Sequence, residues 1–319
     1  MPLDPFLEPL VASLAPFPDT IDDWDEFRAN ERATVNALSG QLAEPGPDIR
    51  EKTTVTIPVD DGEITLNVFQ PLTEGAHPVH LYFHGGGWIG GSIHTEITDI
   101  TGEERAAGAD CVVVNVEYRK APEHQFPTGL NDCYAALLWV AEHADELGVR
   151  TDAITVGGGS AGANLAAALT LKVRDEGGPA IAFQLLEVPA LDLTLQSPSI
   201  RRNGSGYGLD LHTLTTLIPL YLPNPDVDVT NPYVSPLLAP DLSGLPPAHI
   251  MTSEYDPLCD DGERYAARLM QAGVAATLTV GLGHIHGSSV YTKVMASARR
   301  WRDEAVEVLR SANERALKR

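Results

Sequence analysis

The sequence predicts an α/β fold: a mostly parallel, eight-stranded sheet flanked by helices, with a helical cap over one end. Three observations carry that expectation. From Val79 onward, short apolar runs alternate with helix-prone stretches, the pattern that builds a parallel sheet with helices on both faces. One of those runs, Ala153-Ile154-Thr155-Val156, passes directly into Gly157-Gly158-Gly159-Ser160-Ala161-Gly162 and then a helix-prone stretch. Finally, residues 193–247 interrupt the alternation with a long segment that has a helical pattern of its own.

With 319 residues the chain can bury a large core. Its 44 acidic residues against 22 Lys and Arg give a net charge of −22, which argues against nucleic acid or an anionic membrane surface as a partner. Three cysteines, Cys111, Cys133 and Cys259, have no short spacing, so neither a disulfide framework nor a zinc site is expected. No run of about 18 uncharged apolar residues is present to span a membrane. The N-terminal stretch carries acids and no basic leader, which predicts a cytoplasmic protein.

Taken in order, residues 1–45 read as two helices. Leu7, Leu10, Val11 and Leu14 share one face of the first, and Trp24, Phe27, Val35 and Leu38 one face of the second, before the breaker Glu44-Pro45-Gly46-Pro47. A hairpin follows, Thr54 to Val59 and then Ile64-Leu66-Val68, around Asp60-Asp61-Gly62. Six more strands are expected at Val79–Phe83, 111–116, 153–156, 181–186, 248–252 and 276–280. Helices fall near 97–108, 129–147, 161–175, 259–272 and 289–317, the last with Tyr291, Val294, Ala298, Trp301, Ala305 and Val308 on one face. In the interrupting segment, Asp210 precedes Leu211, Leu214, Leu217, Ile218 and Tyr221 at helical spacing. Lying past the carboxyl end of a strand, this insertion should join the N-terminal helices in a cap.

The bend at Ser160 has the form of a nucleophile elbow, in which strand and helix approach so closely that Gly158 and Gly162 must lack a Cβ. A serine needs a base to take its proton, and the base needs an acid to orient it. In this kind of sheet both should come from loops after later strands. For the acid, Glu254, Asp256, Asp260 and Asp261 compete; Asp256 is favoured because it lies past the strand end and before the helix that Asp260 and Asp261 open. For the base, His284 and His286 share one loop, and Gly287, which lets the backbone pass close to the serine, favours His286. Acyl transfer also needs hydrogen-bond donors for the oxyanion. His84-Gly85-Gly86-Gly87-Trp88 follows the strand ending at Phe83, so the amides of Gly86 and Gly87, with that of Ala161, form a three-donor hole that His84 and Gly85 support.

His84-Gly85-Gly86-Gly87-Trp88, the run Tyr118 to Pro127, Gly158-Gly159-Ser160-Ala161-Gly162-Ala163-Asn164-Leu165, Asp256-Pro257-Leu258 and His286-Gly287 together resemble the hormone-sensitive-lipase-like esterases of the α/β-hydrolase fold. The resemblance implies Ser160 as nucleophile, Asp256 as acid, His286 as base, and hydrolysis of short- to medium-chain acyl esters without a cofactor or metal. It implies a hydrolase core at 46–192 and 226–319, an insertion at 193–225 and N-terminal cap helices at 1–45. A small-molecule ester is the expected partner, and a homodimer is compatible with the sequence. The chain departs from the family at Gly159, where many members have aspartate, at Ala163, and at Ser288, which replaces an aromatic and is expected to open room beside the histidine.

Two other readings compete. G-x-G-x-x-G occurs twice, at residues 85–90 and 157–162, and Glu187 ends a strand beyond the second, as in nicotinamide-dependent oxidoreductases. Neither motif follows the first strand of a domain, and Trp88 crowds the first. A non-catalytic small-molecule receptor on the same scaffold is the other, and the complete serine, acid and histidine set argues against it.

Overall fold

Mostly apolar strands form the centre of the sheet, and a polar one lies at an edge. In the computed structural model, which describes residues 2–223 and 227–318, the helices α1 (Leu7–Ser13) and α2 (Trp24–Leu42) precede the hairpin β1 (Glu51–Val59) and β2 (Gly62–Gln70). Then come β3 (His77–Phe83), α3 (Glu96–Ala109), β4 (Val112–Glu117), α4 (Thr128–Glu142), α5 (Ala144–Leu147), β5 (Val149–Gly159) and α6 (Ala161–Glu176). They are followed by β6 (Ile181–Glu187), α7 (Pro198–Asn203), α8 (Leu211–Tyr221), β7 (Ala248–Tyr255), α9 (Cys259–Gln271), β8 (Ala276–Ile285) and α10 (Ala296–Ala316).

All eight predicted strands join one sheet in the order β1-β2-β4-β3-β5-β6-β7-β8. The hairpin and the β2–β4 pair are antiparallel, and every other pair is parallel. Strands β3 and β4 and residues 153–158 of β5 sit in the middle and are buried almost throughout, as strands covered on both faces must be, and their sequences are mostly apolar. Strand β1 lies at an edge and is mostly exposed, matching its polar start Glu51-Lys52-Thr53-Thr54. One face of the sheet is packed by α4, α6 and α9 through residues such as Leu137, Leu165 and Leu269, and the other by α3 and α10 through Ala106, Trp301 and Leu309. Helix α6 is buried from Ala161 to Leu171, and its small residues let it lie close to the sheet.

Several expectations need correction. The predicted helix at 129–147 breaks at His143 into α4 and α5. The final helix begins at Ala296, so Tyr291 and Val294 lie outside it; Ser288–Val290 forms a separate 3₁₀ turn, and Leu309 and Ala312 continue the buried stripe. In α2, Leu38 is exposed, while Trp24 and Phe27 pack on the core. Helix α1 buries Leu7 with Ile285, Met295 and Ala298, so its main support is the end of β8 and the start of α10. The domain boundary drawn at 225/226 lies outside the described residues. Among the described residues, no helix is long and apolar enough to cross a membrane.

Candidate active site

Ser160 sits between β5 and α6 with φ 56° and ψ −119°, a backbone conformation that costs a non-glycine residue about 1–3 kcal/mol. Three features hold it there. Its amide donates to the Glu187 carbonyl of the neighbouring strand at 2.8 Å. A methyl on Gly162 would collide with the carbonyl oxygens of Phe83 and His84, and one on Gly158 with Phe83 and with Gly162 itself. The glycines on either side of the serine are therefore a packing requirement of the bend.

The loops after β7 and β8 bring the acid and the imidazole to this bend. Ser160 Oγ donates to His286 Nε2 at 2.9 Å, and His286 Nδ1 donates to Asp256 Oδ2 at 2.7 Å. Asp256 is fully buried, and its other oxygen, Oδ1, accepts the Leu258 amide at 2.8 Å. A carboxylate is acceptor-only, so this pairing fixes the tautomer that leaves Nε2 able to receive the serine proton. The competing acids are engaged elsewhere. Glu254 accepts the Gly283 amide, Asp260 binds Ser199 and Arg202, and Asp261 caps the amides of Leu191 and Asp192. His284 is buried, hydrogen-bonded to Ser288 Oγ at 2.8 Å and packed beside the Trp301 ring. Ser288 opens no space: it is fully buried, and its hydroxyl serves His284 and the backbone of Ile285.

The glycine loop after β3 lies against the elbow, where a methyl on Gly85 would stand 3.5 Å from Ser160 Cβ. Gly86 and Gly87 adopt φ of 117° and 60°, open to glycine at little cost. Among the described residues their amides have no acceptor, and the Ala161 amide, first in α6, has none within its helix. Three unspent N–H groups and the positive end of a long helix thus belong to residues that line the same cleft as the serine. His84 braces the loop: its Nδ1 donates to the Gly85 carbonyl at 2.7 Å, its ring stacks on Tyr118, and burial drives its pKa down to about 4 against the pull of Glu117.

Sequence reasoning missed several supports. Asn203 of α7 donates to the carbonyls of Glu254 and Asp256, pinning the acid loop. Asn164 accepts from Trp88 Nε1 and donates to the carbonyls of Ala190 and Val234, and Trp88 stacks on Tyr221 of α8 at 4.5 Å. Leu217 of α8 fills the space a side chain on Gly87 would need. From α2, Arg28 donates to the carbonyls of Ile89 and Ala121 and pairs with Glu123, while Glu31 accepts the Gly91 amide. No local pattern signals these contacts, because each joins residues far apart in the sequence. Glu187, the strand-ending acid beyond the second glycine motif, is held by Arg105 and by Trp301 Nε1. Cys259 is buried, and its thiol is pushed up to about 12 by burial and by Asp260, which makes it a poor nucleophile. Among the described residues, no cluster of His, Cys, Asp or Glu is placed to hold a metal ion.

Ser160 and His286 open into a cleft of about 750 Å³, a size that suits a small organic ligand. Residues 80–289, from within β3 to the turn after His286, match the profile of a family defined by its α/β-hydrolase fold. The chain belongs to the α/β-hydrolase family. Within it, the motifs and relatives of this hydrolase are those of the hormone-sensitive-lipase-like esterases. An arylesterase of Saccharolobus solfataricus is 38% identical over 288 residues, covering 90% of this hydrolase and 92% of the relative. The carboxylic ester hydrolase LipN of Mycobacterium tuberculosis is 40% identical over 263 residues, covering 81% and 68%. Among solved structures, a hyperthermophilic esterase from the archaeon Pyrobaculum calidifontis superposes with a TM-score of 0.90 at 35% identity, covering 98% of this hydrolase and 99% of that chain.

Proposed function

We propose that this α/β-hydrolase cleaves short- to medium-chain carboxylic esters through an acyl-serine intermediate. Hydrolysis of carboxylic esters follows from its esterase relatives. The serine mechanism rests on one observation above the others: the unbroken relay from Ser160 Oγ through His286 to the buried Asp256, set beside three amides without acceptors.

Ser160 Oγ attacks the ester carbonyl carbon as its proton passes to His286 Nε2, and the carbonyl oxygen takes negative charge. The amides of Gly86, Gly87 and Ala161 receive that charge, each good donor being worth about 3–4 kcal/mol at the transition state. Asp256 stabilises the imidazolium. Collapse breaks the bond to the alcohol oxygen, which leaves with the proton from His286 Nε2. Water then gives its proton to His286 and attacks the acyl carbon; collapse breaks the bond to Ser160 Oγ, which recovers the proton. Helices α2, α7 and α8 act as the cap, and the apolar side chains of Phe17, Leu209, Leu214 and Leu217 line the cleft for the substrate's carbon chains.

The test is turnover of p-nitrophenyl butyrate together with labelling by a serine-directed phosphonate. We expect stoichiometric loss of activity and one adduct, on Ser160, with Ser160→Ala neither labelled nor active. Activity surviving in folded Ser160→Ala would defeat the proposal.

A further inference from the structure

Part of the cleft lining is polar and takes no part in the chemistry above. Gly159, next to Ser160 and paired in register with Glu187, has no side chain to close this side of the elbow. Beyond it the cleft is lined by Tyr82, Glu187 and one face of α3, where Thr98, Thr101 and Arg105 recur at helical spacing. Both threonine hydroxyls donate back to backbone carbonyls, of Ser92 and Ile97. Arg105 is different. It is 4% exposed, its guanidinium lies 4.3 Å from the centre of the Tyr82 ring, and one terminal nitrogen pairs with Glu187. The other, Nη1, is buried without a hydrogen-bond partner among the described residues.

A buried N–H left unpaired is costly, and a site built around one discriminates strongly for a ligand that satisfies it. Charge decides which ligand. The Arg105 cation is already balanced by Glu187, whose second oxygen accepts from Trp301, so an added anion would meet that carboxylate and an added cation would meet the guanidinium. A neutral acceptor escapes both penalties. We propose that the chamber between Gly159 and Arg105 receives one arm of the ester substrate, and that this arm carries an uncharged oxygen acceptor, an ether, ketone or hydroxyl, for Arg105 Nη1. The inference rests on the serine-ester reading and adds to it a class of substrate.

The experiment compares kcat/KM for matched esters that differ by one oxygen. In the acyl arm, p-nitrophenyl 4-methoxybutanoate is set against p-nitrophenyl hexanoate; in the alcohol arm, 4-methoxybutyl acetate is set against hexyl acetate, followed by acid release. Removing Arg105 alone would strand the Glu187 carboxylate, so the variant is the double substitution Arg105→Met with Glu187→Gln. We expect the ether-to-alkyl ratio in one arm to fall at least tenfold in this variant, and that arm identifies which half of the ester enters. A second variant covers failure of the first to fold. A methyl on Gly159 would sit 3.6 Å from the Tyr82 hydroxyl, an ordinary contact, so Gly159→Ala folds while narrowing the chamber. It should lower kcat/KM for the two long esters of that arm at least fivefold relative to p-nitrophenyl acetate. Unchanged ratios in both arms, or unchanged relative rates in Gly159→Ala if the double variant is unfolded, overturn the inference while Ser160-dependent turnover persists. Absence of ester turnover in the wild type, or its survival in Ser160→Ala, overturns both readings together.

Discussion

Replacing Asp256 by asparagine is the sharpest perturbation of the relay, because the structure dictates how the amide must turn. Asp256 Oδ1 accepts the Leu258 amide at 2.8 Å, and that backbone donor cannot be rotated away. Asparagine must therefore keep its oxygen toward Leu258 and present its NH₂ group to His286, where Oδ2 now accepts at 2.7 Å. Facing a donor, Nδ1 becomes the acceptor, and the imidazole proton moves to Nε2. That nitrogen can then no longer take the proton of Ser160. The side chain is nearly isosteric and keeps both hydrogen bonds, so the fold should survive. The same substitution in a serine protease, with the same tautomer logic, lowers kcat by about 10⁴. A like loss here corresponds to about 5.4 kcal/mol of transition-state stabilisation. The assay is kcat on p-nitrophenyl butyrate, with urea unfolding and circular dichroism to establish folding. A folded Asp256→Asn within tenfold of wild type would refute the tautomer argument.

His286→Ala should remove nearly all ester turnover, whereas His284→Ala should keep most of it and lose about 1–3 kcal/mol of stability with its bond to Ser288; the reverse pattern in a rate assay would reassign the base. Gly162→Ala drives a methyl into the carbonyls of Phe83 and His84 and should cost about 3 kcal/mol, read as a lower urea midpoint; an unchanged midpoint would mean that the elbow can relax. Arg28→Met removes the donor that joins α2 to Ile89 and Ala121, and kcat should fall about tenfold or more with little change in KM. A change confined to KM would mean that Arg28 serves binding alone. Burial pushes the Glu104 carboxyl up to about 7, against the pull of Arg302 and Arg105. With the folded pKa above the unfolded value, stability from this group is full below about pH 4.5 and lost as pH rises through 7. Glu104→Gln should therefore gain on wild type by about 2–3 kcal/mol between pH 4.5 and pH 8, measured by urea unfolding at each pH. A constant difference across that range would show that the group titrates normally.

Much of the architecture was legible because its causes are local. Apolar runs of strand length, separated by amphipathic helices, have few ways to bury their surfaces other than a parallel sheet between helical layers, and all eight strands appear where those runs fall. Helix boundaries were less legible. Continuous apolar spacing from 289 onward concealed the 3₁₀ turn at Ser288–Val290, which follows almost directly on His286, the imidazole bonded to Ser160.

Ser160, Gly158 and Gly162 announced themselves because a strand, a tight bend and a helix in succession leave few residues that fit. The choice among Glu254, Asp256, Asp260 and Asp261 is of another kind: all four are acids in the short stretch 254–261, and only the backbone donors and cations folded around them show three engaged elsewhere and one facing His286. The same holds for Arg28 on the oxyanion loop, Asn203 under the acid and Arg105 behind Gly159. Their partners lie tens of residues away, and an arginine or asparagine in a helix carries no mark of what its far end will touch. Local sequence determined the strands, the bend and the small residues that the bend demands. Tertiary structure alone decided which polar groups meet, because a buried polar side chain finds its partner through the closing of the whole chain.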